Sequence, residues 1–180
     1  LIVESLTRAG ELVKSFKQLA VSQSVQISQE ISLNEVAQNV IISFKHSYKN
    51  RDICINNEIS ELLIIEGVSG LYSQIFTNLL NNSLLHGFDK AVGGAIIVKA
   101  NLSGDLLIMT FEDNGKGVSN KELCKIFEPF YTTKRNKGGT GLGLSIVHNI
   151  VKKMKGKIKV EKVTPHGLRF IISIVVNNMA

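Results

Sequence analysis

Two spacings of apolar residues occur along this chain, and each predicts one kind of secondary structure. Apolar residues three and four positions apart predict helices, over residues 32–48, 69–86, 120–126 and 142–154. Alternating and β-branched runs predict strands, over residues 52–59, 62–66, 95–102, 106–112, 157–163 and 168–175. Helices and hairpins interleave without a regular βαβ order. We therefore expect a two-layer α/β sandwich, with a mixed sheet packed on helices.

The first 25 residues carry a separate repeat of apolar positions. Intervals of four and three residues separate Ile2, Leu6, Ala9, Val13, Phe16 and Ala20. Such a heptad seam predicts a helix that packs on partner helices, although a helix packed on its own domain would give the same pattern. The polar, Ser- and Gln-rich stretch Val21–Glu30 predicts a linker. We therefore divide the chain into residues 1–25 and a domain over residues 26–180.

Composition limits the partners that the chain can have. The formal net charge is +6, from 21 basic and 15 acidic residues, and an anionic ligand such as a nucleotide would account for part of it. The lysines within residues 152–162 suit the last turn of a helix and the exposed face of a strand. They do not predict the basic stripe with stacking aromatics that nucleic acid requires, so we expect no nucleic acid among the partners.

Two features bear on the cellular location. Cys54 and Cys124 lie far apart without a Cys-x-x-Cys motif, which is typical of reduced cysteines in a cytoplasmic protein. No apolar run approaches the roughly 18 residues that span a membrane, and no signal peptide is visible. The chain opens inside a helical pattern without Met. We therefore expect a cytoplasmic piece of a longer protein, whose upstream segments could anchor it in the inner membrane.

The most informative segment is Gly138–Val147, in which four glycines in six residues lead directly into a helical pattern. Glycine lets the backbone approach a ligand closely, and the N-terminus of the following helix supplies free N–H groups and a partial positive charge. The segment is not a P-loop, because no Gly-Lys-Ser/Thr follows. It is not a dinucleotide fingerprint either, because Leu144 stands where the third glycine would fall.

Three further segments precede it in the chain: Asn78–Asn82, Asp113–Gly117 and Phe127–Lys134. Together the four segments resemble the ATP-binding domain of sensor histidine kinases, which is related more distantly to the ATPase domains of gyrase, Hsp90 and MutL. The resemblance covers residues 28–176, and residues 1–25 look like the end of the second helix of that family's dimerisation and phosphotransfer hairpin. It implies the histidine kinase/Hsp90-like ATPase fold, with ATP and Mg²⁺ as ligands.

Four polar residues, Gln74, Asn78, Asn82 and His86, follow each other at intervals of four on the predicted helix over residues 69–86. Such a stripe can be a solvated face, but amide oxygens also suit Mg²⁺, which takes few protein ligands and several phosphate oxygens. The resemblance implies that Asn82 coordinates Mg²⁺, that Asn78 supports this site, and that His86 lies near the phosphates or the ribose. The family often has a basic residue where this chain has Leu85.

Asp113 ends a predicted strand and begins Asp-Asn-Gly-Lys-Gly, which by itself can be a simple Asx turn. The resemblance implies that its carboxylate accepts a hydrogen bond from the adenine amine, with Gly115 and Gly117 leaving room for the base and Val118 beside it. Guanine presents a carbonyl at that point, so a buried carboxylate would lose its partner and select against GTP.

An apolar hinge at 127–131 and a basic lid at 132–139 follow, with Lys134, Arg135 and Lys137 in the lid. The resemblance implies that Lys134 contacts the terminal phosphate and that the lid closes over the nucleotide. It assigns further nucleotide contacts to Phe127, Thr132, Thr133, Gly139, Thr140, Gly141, Leu142, Gly143 and Leu144.

The resemblance implies a histidine autokinase, which transfers the terminal phosphoryl group of ATP to a histidine on its own helix hairpin and then to a response regulator, in a homodimer. None of His46, His148 and His166 is followed by an acidic residue as the family's phosphoacceptor is, so we expect that histidine to be absent from these 180 residues. Two alternatives stay open. A clamp ATPase like Hsp90 or MutL has Glu where this chain has Asn78, and a non-catalytic nucleotide sensor would bind ATP without phosphotransfer.

Overall fold

A computed structural model describes residue 10 and residues 27–88, 93–134 and 139–176 of the chain. The predicted seam over residues 1–25, except for Gly10, lies outside the described residues. The same is true of the lid residues Arg135 and Lys137, and of Gly138.

The described residues form helices and strands that follow the predicted order. The helices are α1 (Leu33–Ser43), α2 (Lys45–Tyr48), α3 (Ser69–Asn82), α4 (Asn120–Leu123) and α5 (Gly143–Lys153), and a π-helical turn, Ser83–Gly87, extends α3. The strands are β1 (Gln29–Ser32), β2 (Ile53–Asn57), β3 (Ile64–Gly67), β4 (Gly94–Ser103), β5 (Leu106–Asp113), β6 (Lys157–Lys162) and β7 (Leu168–Val175).

The main sheet has five strands in the order β2-β4-β5-β7-β6. Only its β2–β4 pair is parallel, and the other three pairs are antiparallel. A separate two-stranded sheet pairs β1 with β3. The sheet is therefore mixed, as predicted. β6 forms one edge of the main sheet, and its exposed residues include Lys157, Lys159, Glu161 and Lys162.

The core lies between one face of the main sheet and helices α1, α3 and α5. Alternate residues of the central strands are buried there: Ile96, Val98, Ala100, Leu107, Met109, Phe111, Leu168, Phe170, Ile172 and Ile174. Opposite them α3 buries Ile75, Leu79 and Leu80, the residues that flank its predicted polar stripe. This arrangement confirms the two-layer α/β sandwich and leaves the polar stripe of α3 partly exposed.

Three local predictions need correction. The last residues of the predicted linker Val21–Glu30 belong to β1, which pairs Ile31 with Ile65. Ile31 is the one buried side chain of this four-residue strand, so its sequence lacks the apolar alternation that predicts a strand. The predicted helix over 32–48 is interrupted at Phe44. The preceding residue, Ser43, donates its hydroxyl hydrogen to Val40 O at 2.6 Å. A serine that bonds back to its own helix in this way bends it.

The third correction concerns the short helix predicted over residues 120–126, which ends at Leu123. A complete capping box starts it, because Ser119 accepts from Glu122 N–H while the Glu122 carboxylate accepts from Ser119 N–H. The following residues turn towards the hinge, so that Ile126 is buried while Cys124 stays exposed.

The two faces of β7 predict unequal costs of truncation. Ile172 is 2% exposed and Val175 is 69% exposed on the same strand. Ile172→Ala should lower the free energy of unfolding by about 2–5 kcal/mol, because it removes buried methyl groups and leaves a cavity. Val175→Ala should change it by less than about 1 kcal/mol. Urea denaturation measures both, and equal losses would contradict the inward assignment of Ile172.

Candidate functional site

A cleft in the described part of the chain collects many of the predicted site residues. It opens between the end of α3, the end of β5 and the start of α5. The predicted residues that line it are Asn82, His86, Asp113, Gly117, Val118, Thr132, Thr133 and Leu144. Gly87, Glu122, Ile126, Tyr131 and Leu168 complete the wall. The fold therefore brings together residues from all four of the sequence segments singled out above.

A buried carboxyl lies in this cleft. Asp113 is the last residue of β5 and is 2% exposed. The Ser83 hydroxyl donates to its Oδ2 at 2.6 Å, and Gly115 N–H donates to its Oδ1 at 3.0 Å. Burial raises the pKa of the Asp113 carboxyl, and the hydrogen bonds from its donors only partly oppose that rise. Its remaining lone pairs can accept from an N–H group of a ligand.

The loop that follows this carboxyl packs closely against the end of α3. Gly115 lies against Gly87, and a Cβ built on Gly115 would come within 2.7 Å of Gly87 Cα. Lys116 N–H donates to Gly87 O at 2.9 Å, which joins the loop after β5 to the end of α3. Gly117 has a φ of +67°, in the left-handed region that favours glycine. The loop can therefore take this path only with glycine at both positions.

The turn Ser83–Gly87 is π-helical, whereas the four-residue spacing of its polar residues predicts an α-helix. A π-helical turn is wider than an α-helical turn. Arg51 braces it from outside, because its Nη1 donates to Leu84 O at 2.9 Å and its Nη2 donates to Phe88 O at 3.1 Å. The helix predicted over residues 69–86 is thus correct in extent, but its last turn is π-helical.

Basic groups gather around His86, whose Nδ1 lies 3.2 Å from Thr133 Oγ1. The Lys134 ammonium group donates to Leu85 O at 2.6 Å. Burial, followed by the charges of Lys134 and Lys116, lowers the pKa of His86. The imidazole is therefore neutral at pH 7 and able to donate or accept. The two ammonium groups near it make this part of the cleft attractive to an anion.

The Gly-rich segment forms a tight connection from the lid to α5. Phe130 N–H donates to Gly141 O at 2.8 Å, and Gly139 N–H donates to Lys134 O at 3.1 Å. Gly141 has a φ of +71°, and a Cβ there would come within 2.5 Å of the Phe130 carbonyl carbon. This close approach fixes how the chain enters α5 and excludes any larger residue at position 141.

The N-terminus of α5 is open towards the cleft. Leu142 stands at the N-cap position without a side-chain hydrogen bond to cap the helix, and its own N–H donates to Thr140 Oγ1 at 3.3 Å. Gly143 is the first helical residue, and Leu144 lines the cleft. The first N–H groups of a helix have no acceptor within the helix, so this end can bind an anion.

Nine of the predicted site residues are not part of the cleft wall: Asn78, Gly115, Phe127, Lys134, Gly139, Thr140, Gly141, Leu142 and Gly143. The Asn78 amide donates to Gln74 O of its own helix at 2.8 Å, and the side chain packs beside Gly143. The ring of Phe127 lies 5.7 Å from that of His148, while its neighbour Ile126 lines the cleft. The structure therefore brings Asn82 and Ile126 to the cleft wall, whereas Asn78 and Phe127 are not part of it.

Sequence reasoning missed several residues that shape the cleft. Ser83 immediately follows the Asn78–Asn82 segment, so its position next to a polar stripe was an available signal. Arg51 had no such signal, because its hydrogen bonds join residues 33 and 37 positions apart. Glu122 and Leu168 are wall residues outside the four segments, and Tyr131 lies within the Phe127–Lys134 segment but had no ligand contact assigned to it.

Within the described residues, no three His, Cys, Asp or Glu side chains are grouped closely enough to hold a metal ion. That part of the chain also contains no helix with the length and hydropathy needed to cross a membrane. Cys54 and Cys124 are exposed free thiols.

Known proteins share this sequence and this fold. ZraS, a sensor histidine kinase of Salmonella typhi, is 34% identical over 146 residues, which cover 80% of this chain and 30% of ZraS. The catalytic domain of the histidine kinase ThkA superposes with a TM-score of 0.70 at 29% identity, over 83% of this chain and 95% of that domain. ThkA in complex with the response regulator protein TrrA superposes with a TM-score of 0.73 at 24% identity, over 98% of this chain and 49% of ThkA.

The chain spans only 26–30% of the length of several curated relatives that it matches. A family profile described as histidine kinase-, DNA gyrase B- and HSP90-like ATPase matches residues 67–178, which include every residue of the cleft wall. This chain belongs to the histidine kinase-, DNA gyrase B- and HSP90-like ATPase family.

Proposed function

We propose that this chain is the ATP-binding catalytic part of a sensor histidine kinase. The observation that carries the proposal is the buried Asp113 carboxyl at one place in the cleft together with an uncapped helix N-terminus at another. The first suits a base with an exocyclic amine, and the second suits a phosphate chain. The likeness to ZraS and to the catalytic domain of ThkA supports this choice within the family.

The adenine end of the proposed site consists of Asp113 and the loop after it. The carboxylate accepts from the adenine amine, and the backbone at Gly115 and Gly117 gives the ring room. Guanine would place a carbonyl oxygen against the carboxylate, and an unpaired buried carboxylate is costly. Val118 and Leu168 supply apolar wall beside this end of the cleft.

The phosphate end consists of the N-terminus of α5 and the cations near His86. Backbone N–H groups at Gly143 and Leu144 would bind phosphate oxygens, and Lys134 would exchange its hydrogen bond with Leu85 O for the terminal phosphate. In phosphoryl transfer the protein contributes mainly position and charge neutralisation. The phosphate end of the cleft can therefore position ATP for transfer without containing a nucleophile.

Asn82 is the proposed magnesium ligand. It is partly exposed on the last turn of α3 and lines the cleft, and its amide oxygen is a hard donor of the kind that suits Mg²⁺. No cluster of carboxylates in the described residues could cage the ion, and a cation shared with nucleotide phosphates needs none. When bound, the ion would neutralise phosphate charge.

The residue at the helix position that activates water in a clamp ATPase argues against that function. Asn78 stands there, and its amide donates to Gln74 O of its own helix. An amide cannot take a proton at neutral pH, whereas hydrolysis needs a base near the attacking water. The terminal phosphoryl group must then go to a nucleophile outside this fragment.

We propose three partners for the full-length protein. The first is a phosphoacceptor hairpin that continues residues 1–25, and the second is a second copy of the chain, joined through the seam that begins at Ile2. The third is the receiver domain of a response regulator. The complex of ThkA with TrrA supports this last partner by analogy of fold.

Asp113→Asn should remove most ATP binding and change how stability depends on pH. The raised pKa means that the folded chain holds the Asp113 proton more tightly than the unfolded chain, whose ordinary value is near 3.8. Folding stability is thus lost as pH rises from about 4 and the carboxyl ionises. Asn has no such proton, so the unfolding free energy of the variant should rise relative to that of wild type as the pH increases over that range. ATP affinity should fall roughly 10- to 100-fold.

Urea denaturation near pH 4 and near pH 7, with calorimetric titration of ATP, measures these effects. Asp105→Asn, at an exposed turn residue, is the matched control and should leave both unchanged. A stability difference between Asp113→Asn and wild type that does not vary with pH would contradict the raised pKa.

Asn82→Ala should abolish the gain in ATP affinity that Mg²⁺ gives, because the amide oxygen is the proposed protein ligand of the ion. Calorimetry with excess Mg²⁺ and with EDTA compares the two conditions. Asn81→Ala, at the exposed neighbouring residue, should keep the full magnesium effect. An unchanged magnesium effect in Asn82→Ala would remove Asn82 from the metal site.

The fragment should hold ATP with negligible phosphate release and no self-phosphorylation. It should transfer radiolabel from ATP to a separately supplied phosphoacceptor hairpin of the same protein, slowly because the tether is cut and effective concentration is lost. An acid-labile label on the hairpin supports the kinase. Rapid phosphate release without the hairpin would instead support a clamp ATPase.

A further inference from the structure

The turn between β6 and β7 packs directly on the loop that follows Asp113. Gly167 has a φ of +127°, and a Cβ there would overlap the Asp113 carbonyl oxygen. A Cβ on Gly117 would in turn come within 3.2 Å of Gly167 O. The turn therefore forms the outer wall of the loop.

His166 supplies the side-chain contact between this turn and the loop. Its Nδ1 lies 2.9 Å from Asn114 O and 3.0 Å from Gly115 O. Both partners are carbonyl oxygens, which only accept, so Nδ1 must carry the proton and donate to the pair. One ring N–H thus holds two consecutive carbonyl groups of the loop.

Each of those carbonyls belongs to a peptide group whose N–H shapes the cleft. The plane that contains Asn114 C=O also contains Gly115 N–H, which donates to Asp113 Oδ1 at 3.0 Å. The plane that contains Gly115 C=O also contains Lys116 N–H, which donates to Gly87 O at 2.9 Å. A peptide group is planar and trans, so fixing its oxygen fixes the direction of its N–H.

We propose that His166 is a positioning residue for adenine recognition, which rests on the function proposed above. Its Nδ1–H holds the two peptide planes after Asp113, so that one orients the carboxylate and the other ties the loop to the end of α3. The loop is also tied to β4 at its first residue. Asn114 N–H donates to Ala95 O at 3.1 Å, and Asn114 Oδ1 accepts from Ala95 N–H at 2.7 Å.

A matched pair of substitutions separates the donor from the bulk of the side chain. His166→Asn keeps an N–H donor at the same number of bonds from Cα as Nδ1, whereas His166→Leu has similar size and no donor. His46→Leu, at an exposed residue of α2, is the control. ATP and GTP affinities are measured by calorimetry, and amide hydrogen exchange is followed at Gly115 and Lys116 without nucleotide.

His166→Leu should lower ATP affinity roughly five- to tenfold, reduce the preference for ATP over GTP, and speed exchange of both amides. His166→Asn should restore all three to within about twofold, and His46→Leu should change none. Equal behaviour of the Leu and Asn variants would overturn the proposal, and so would unchanged amide exchange in His166→Leu.

The same measurements distinguish failure of the inference from failure of the proposed function. Wild type should prefer ATP over GTP by at least about tenfold. Without that preference the proposed adenine site falls, and with it the recognition role of His166, whatever the amides do. With that preference intact, an unaffected His166→Leu variant refutes the role of His166 alone.

Discussion

The structure of the cleft depends on how one carboxyl is buried at the end of a central strand. Asp113 ends β5 with 2% of its surface exposed, so bulk water reaches little of it. Protein donors must supply its hydrogen bonds instead. Ser83, which precedes Asp113 in the chain, and Gly115, which follows it, both donate to the carboxyl. The π-helical turn that begins at Ser83, the loop that carries Gly115 and the β6–β7 turn together enclose this group, since a buried carboxyl must find its hydrogen bonds within the protein.

This enclosure sets stability against recognition. Burial disfavours the charged form of Asp113, yet a charged acceptor with unused lone pairs is the better partner for a ligand amine. The glycines at 115, 117 and 167 add conformational entropy to the unfolded chain, but side chains there would collide with the enclosing backbone. The buried charge and the glycines both lower stability at the same part of the cleft, where a bound ligand would offset the loss.

The sequence predicted what adjacent residues determine and missed what distant residues contribute. Asp113 and the Gly-rich entry to α5 lie in short segments, and the resemblance of those segments to a known family implied their roles before the fold was known. The Ser83–Asp113, Arg51–Leu84 and His166–Asn114 contacts join residues 30, 33 and 52 positions apart, so no local pattern encodes them. Strand bounds are predictable where one face is buried, as in β7, whereas β1 buries a single side chain fully and its sequence predicts a linker.

The charged edge strand β6 has a consequence for how copies of this domain can associate. An edge strand offers unpaired backbone groups on which another chain can extend the sheet, with aggregation as the result. Three exposed lysines, at positions 157, 159 and 162, outnumber the exposed Glu161 and give this edge a net positive charge, so two such edges repel each other. Pairing of two β6 edges is therefore disfavoured, and neighbouring copies of this domain are kept from extending the sheet through that pair of strands.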